Sequence, residues 1–264
     1  MNGFRFGNFM KRILIMLVLV FMISGQATVF ARAGGGHSSG GGHSSSSGGW
    51  HESRSGGSYH SGTSHPVADA IVIGIILVIA IIAVSGPIMY KAKINKKKSE
   101  SIKAIKSLSR KDYNWNYNGI KKDVEEAFYK VQLAWAERDQ DLAKEYMSEK
   151  LYSEHKRQTD RMILRKKKNI LKNMTLLGEK PIGLKDYNGI NRDVLWVDIE
   201  ASAIDYTINE QTKKVIQGQD DEACYFEEYW KFIRTETRWV LDEIKQKNEV
   251  GNLDFFEVEI DNKK

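Results

Sequence analysis

Apolar positions along the chain change their period several times, and each change marks a boundary. Ile13 to Ile23 is an unbroken apolar run behind Lys11 and Arg12, followed by polar Ser24 to Thr28 and then Ala31 and Ala33 at A-x-A spacing. A basic start, a short apolar stretch and a small-residue site give the order of a cleavable secretory signal, placed at residues 1–33. Its 11 apolar residues cover roughly half a bilayer, since a spanning helix needs about 20. An uncleaved anchor extended to Phe30 is the alternative. Ala70 to Tyr90 has no charged residue, and Ile71 to Val84 is wholly apolar or Gly. At about 1.5 Å per residue this stretch reaches roughly 31 Å, the thickness of the hydrocarbon core. Residues 67–90 are therefore expected to form one transmembrane helix.

Beyond Asn118 the pattern is that of a folded domain. Val124, Ala127, Phe128, Val131, Ala134 and Trp135 fall on one face of a helix from about Ile120 to Arg138. Asp139 to Met147 suggests a short second helix, and Ser148 opens a third that runs to about Asn173. On that third helix Tyr152, His155, Thr159, Met162, Ile163 and Ile170 share one side. Arg157, Arg161, Arg165, Lys168 and Lys172 form a basic stripe opposite. The period then shortens to two. Thr175–Leu184, Arg192–Ile208, Ala223–Thr235 and Arg238–Lys245 read as strands rich in Val, Ile, Trp, Tyr and Phe. In the second, Leu195, Val197, Ile199, Ala201 and Ala203 alternate with Trp196, Asp198, Glu200 and Ser202, as in a half-buried antiparallel strand. The expected fold class is α+β: three helices packed on a curved antiparallel sheet, with the domain at residues 119–248 and a C-terminal tail at 249–264.

Charge changes the picture, because its total misleads. The formal net charge is +6, yet residues 112–264 hold 26 basic and 31 acidic side chains. The excess sits in the leader and in residues 91–111, where nine basic residues face Glu100 alone. A mildly acidic folded part removes the main argument for a nucleic-acid partner. Lys91, Lys93, Lys96, Lys97 and Lys98 follow the apolar run directly. The positive-inside bias then puts residues 91–264 in the cytoplasm and 34–66 outside, with 91–118 as a basic juxtamembrane linker. The same lysines can contact anionic headgroups, and the Arg157–Lys172 stripe is either a solvated face or a docking surface for anionic lipid or an acidic protein.

Residues 34–66 are almost entirely Gly, Ser and His, a composition expected to stay disordered. Their five histidines follow no fixed ligand spacing, so a plain hydrophilic spacer is favoured over loose metal capture and no metal or cofactor is expected. Cys224 is the single cysteine, which excludes an intrachain disulfide. Phosphate-loop, dinucleotide-binding and nucleophile-elbow signatures are absent.

Phe226-Glu227-Glu228-Tyr229-Trp230-Lys231-Phe232-Ile233-Arg234, then Arg238-Trp239-Val240-Leu241-Asp242-Glu243-Ile244, resembles the closing strand pair of the Tim44-like domain. Lys245-Gln246, the helical face around Trp135 and the strand 192–208 fit as well. Leader, Gly/Ser-rich spacer and single span resemble bacterial, membrane-anchored members. The resemblance covers roughly residues 112–248. It implies an NTF2-like cone with an apolar pocket, and a scaffold or tether that binds a protein or lipid partner at the membrane instead of catalysing. Trp135, Trp196, Trp230, Phe232 and Trp239 are the candidates for core or pocket. His155 reads as a hydrogen-bonded core residue and Cys224 as a small buried one. The alternative is a tethered small-ligand or acid/base enzyme domain, for which Asp198, Asp205, Glu227 and Tyr225 are the available groups.

Overall fold

The computed structural model describes residues 32–33, 66–187 and 192–261. The chain divides into two units, and the described residues of the first are 66–88. They belong to helix α1, Pro66–Leu108, which begins with Pro at a position where the missing N–H costs nothing. Ile75, Val78, Ile79 and Ile88 on this helix are each more than half exposed. Among the described residues no helix is long and apolar enough to cross a membrane. Most of the apolar run is not among them: the side chains of residues 66–73, 76–77 and 80–84 lie outside the described ones. Residues 1–31 of the signal assigned to 1–33, and the histidine tract of the 34–66 spacer, also lie outside them.

The second unit holds everything else that is described. The stretch read as a linker is helical to Leu108, and Ala104, Ile105 and Leu108 are buried in the core. A short 3-10 turn, Tyr113–Trp115, leads into α2, Tyr117–Glu137, whose N-cap Asn116 accepts from Gly119 N. The helical face read from the sequence, Val124, Ala127, Phe128, Val131, Ala134 and Trp135, is buried, and Ile120 is buried with it. A 3-10 segment, Gln140–Tyr146, connects to α3, Glu149–Leu164, capped by Ser148.

Strands β1 (Lys167–Asp186), β2 (Val194–Asn209), β3 (Val215–Gly218), β4 (Cys224–Arg234), β5 (Trp239–Gln246) and β6 (Val258–Ile260) form one sheet. Its order is β5-β4-β2-β1-β6, with β3 paired to β2. Register breaks in β1 at 172/175, 176/178 and 181/183 add local twist and curl the sheet around α2 and α3. The sheet is mixed and not purely antiparallel, because β6 runs parallel to β1.

A second correction concerns α3, which stops at Leu164 and not near Asn173. Lys166 adopts a left-handed conformation (φ 53), and Lys167 to Lys172 pair with Ile204 to Asn209 of β2. Met162, Ile163 and Ile170 mimic helical spacing across that break. The basic stripe is consequently not one surface: Arg157 and Arg161 ride on α3, Arg165 caps it, and Lys168 and Lys172 lie on β1.

The third correction is to the tail. Leu253 and Phe256 are buried, and with Ile94, Ile182, Trp196 and Tyr229 they form a second apolar cluster. It covers the face of β2 and β4 turned away from α2, so β2 is buried on both faces over much of its length. Tyr90, expected as the last residue of the span, packs against this cluster. Lys97 Nζ donates to Phe256 O at 2.5 Å, so this lysine fastens α1 to the C-terminal segment and is not free for headgroups.

Candidate functional site

Strand register sorts the polar groups onto the two faces of the sheet. On β2 and β4 the facing pairs Val197–Trp230, Ile199–Glu228 and Ala201–Phe226 point one way, and Asp198–Tyr229, Glu200–Glu227 and Ser202–Tyr225 the other. The inner face belongs to the main core with α2 and α3. Trp135, Trp230, Phe232 and Trp239 are all buried there. Trp196 is buried too, in the second cluster on the outer face.

The family-like motif residues hold this interior together. Trp115 and Trp239 meet edge-on at 4.9 Å. Trp115 Nε1 donates to Asp186, and Trp239 Nε1 to Asn114 O. Arg234 donates to Asn114 Oδ1 at 2.8 Å. Trp230 packs on Phe128 at 5.5 Å and donates Nε1–H to Glu228 Oε2 at 3.0 Å.

Glu228 is the unexpected member, a fully buried carboxylate at an inward position between Phe226 and Trp230. Gln246 Nε2 donates to its other oxygen at 2.8 Å. Nearby Asp205, 5 % exposed, accepts from Asn169 Nδ2 at 2.7 Å. Gly218 lies directly over Asp205; a Cβ there would come within 2.3 Å of the Asp205 carbonyl oxygen. Between the carboxylates sits Arg32: one guanidinium nitrogen is 2.8 Å from Glu228, another 3.7 Å from Asp205, and Cζ stands 3.6 Å from the centroid of the Phe226 ring. Arg32 and Ala33, assigned from sequence to the end of the leader, are thus buried within the domain. Two buried carboxylates without a cation would carry a penalty of several kcal/mol per ion, which the Arg32 guanidinium offsets here.

The outer face carries a different network. Tyr90 Oη donates to Glu227 at 2.5 Å and also meets the Tyr229 hydroxyl. Lys247 pairs with Glu227 at 2.8 Å, and Lys180 with Glu200. Asp198 is wholly buried and accepts no hydrogen bond from a described residue, with Lys180 at 3.7 Å. Burial, and then the neighbouring Glu227 charge, push its carboxyl up to about 7. Burial pushes the Tyr225 hydroxyl up to about 12. The groups available for acid/base work are therefore split, with Asp205 inside and Asp198, Glu227 and Tyr225 outside.

His155 is 4 % exposed, edge-on to Trp135 at 5.2 Å, and burial lowers its pKa to about 4, so it is neutral. Its Nδ1 has no hydrogen-bond partner among the described residues, unlike the hydrogen-bonded histidine expected. It borders a cavity of about 240 Å³ between α3 and β5, shared with Lys150, Asp242 and Lys245. Cys224, expected as buried, is only half-buried; its thiol donates to Ala203 O, and burial raises its pKa. No group of three metal-ligating side chains occurs among the described residues.

A sequence profile of the Tim44-like domain matches residues 101–246, more than half of the chain. The chain belongs to the Tim44-like domain family. The matched region begins on the buried last turns of α1 and ends at Gln246, the partner of Glu228. Arg32 and the C-terminal cover, 250–261, lie outside it. No curated protein matches the sequence. Among solved structures, the intermembrane space region of chloroplast protein ARC6 is similar at 10% identity, over 47% of this chain and 94% of that one, with a TM-score of 0.34.

Proposed function

We propose that this Tim44-like protein is a single-pass membrane-anchored tether, with an NTF2-like domain that docks a protein or anionic-lipid partner at the cytoplasmic face and does no chemistry of its own. The supporting observation is on α1, where Ile75, Val78, Ile79 and Ile88 each stand more than half exposed. Apolar side chains in that state favour transfer out of water at about 25 cal/mol per Å², and the uncharged run 70–90 suits the bilayer core. Lys91, Lys93 and Lys96 follow it and are exposed, which suits the positive-inside bias and anionic headgroups. Arg157 and Arg161, exposed on α3, are the remaining candidates for partner contact; Lys168 pairs with Glu137 at 3.5 Å, and Lys172 stacks over Tyr206.

Photo-crosslinking in intact cells, with the reactive group at Arg157 or Arg161, tests the tether. A reproducible adduct that requires the apolar helix supports it; adducts unchanged when residues 70–90 are deleted oppose it. A second reading, small-ligand binding, is favoured by the cavity beside His155 and Asp242. Native mass spectrometry of the full chain separates the two, since a carrier retains a stoichiometric small molecule.

A further inference from the structure

We propose that the inner face of the sheet is a guanidinium-binding site for an arginine presented on a peptide segment of a partner, whose place Arg32 takes in this structure. The domain builds the site from its own residues. Glu228 is held by Trp230 and Gln246, and Asp205 by Asn169, so both carboxylates are oriented before any cation arrives. Arg32 comes from outside the family-matched region, 101–246. Asn169 Oδ1 and Thr207 Oγ1 are buried on facing residues of β1 and β2, and neither has a hydrogen-bond partner among the described residues. The face thus has capacity for further donors.

The geometry favours arginine over lysine. The guanidinium carbon stands over the Phe226 ring at 3.6 Å, while one terminal nitrogen is 2.8 Å from Glu228 and the other 3.7 Å from Asp205. An ammonium is a single point charge and offers no such fork. The chemistry does not rest on the membrane reading, but that reading supplies the occasion. If residues 70–90 cross a bilayer, Arg32 and the domain are on opposite sides, and the site is vacated for a partner's arginine.

The test uses the full chain in detergent, so topology plays no part. Arg32→Ala is titrated calorimetrically with N-acetyl-L-argininamide and with the corresponding lysine amide. The variant is expected to bind the arginine amide at least about tenfold more tightly than the parent does and than it binds the lysine amide, and Glu228→Gln added to it is expected to abolish the difference. A variant with the parent's circular dichroism that takes up no arginine amide, or does not discriminate between the two amides, overturns the proposal. Trypsin gives an independent readout that does not depend on Arg32→Ala folding. Cleavage after Arg32 should be slow in the parent and at least about tenfold faster in Glu228→Gln or with excess arginine amide. Equal rates in all three overturn it.

Discussion

Two buried titratable residues, His155 and Asp198, pull stability in opposite directions across the same pH range. Burial lowers His155 to about 4, against about 6.5 in the unfolded chain. Between these values the unfolded state binds the extra proton, so the histidine's contribution to stability is lost as pH falls from 6.5 towards 4. Asp198 is raised to about 7, against about 3.9 unfolded. There the folded state binds the extra proton, and its contribution is lost as pH rises from 4 towards 7. The limits are roughly 3 kcal/mol for His155 and roughly 4 kcal/mol for Asp198, and the two effects largely cancel in the parent. Urea titrations at a series of pH values should separate them. The stability of Asp198→Asn relative to the parent should rise with pH over this window, and that of His155→Leu should fall. Two flat differences would mean that neither group is perturbed. Gly218 provides a conformational test. With φ at +78 and the Asp205 carbonyl 2.3 Å from a would-be Cβ, Gly218→Ala should cost about 2 kcal/mol or more. Gly251→Ala, with nothing within 4 Å, should change stability by less than about 0.5 kcal/mol.

Among the elements, the C-terminal segment stabilises more than its composition suggests. Phe256 is fully buried against Trp196 and Tyr229, whereas neighbouring Phe255 is 55 % exposed. Phe256→Ala should cost about 3–5 kcal/mol by equilibrium unfolding and Phe255→Ala under about 1; equal costs would show that the segment is not docked. The α2 face was legible in the sequence because Val124 to Trp135 repeat at helical spacing without interruption. The end of α3 was not, since its stop is a left-handed Lys166 and carries none of the usual Gly or Asn signal. Strands β2, β4 and β5 lie within a residue or two of their expected bounds because their alternation is strong. The outer cover was hidden: Trp196 and Tyr229 occupy positions that a one-sided sheet turns to water. Large aromatics at such positions, with Leu253 and Phe256 in the tail, were the available clue. Glu228 offered another, a carboxylate in the inward series Phe226, Trp230, Phe232. Arg32 offered none, being separated from the domain by the whole apolar run.

At the scale of the molecule, one helix, α1, Pro66–Leu108, runs from the uncharged stretch into the family-matched region. The domain's fold and family follow from its strand register and the match over 101–246, and the tether depends on which side of a membrane that domain occupies. Protease protection measures this directly, in intact cells and in inside-out vesicles carrying the full-length chain with a tag after Lys264. The tag and residues 91–264 should resist proteinase added to whole cells and be degraded in inside-out vesicles, with the membrane pellet retaining the chain after a carbonate wash. Degradation from outside whole cells, or release of the intact chain by carbonate, would contradict the proposed tether.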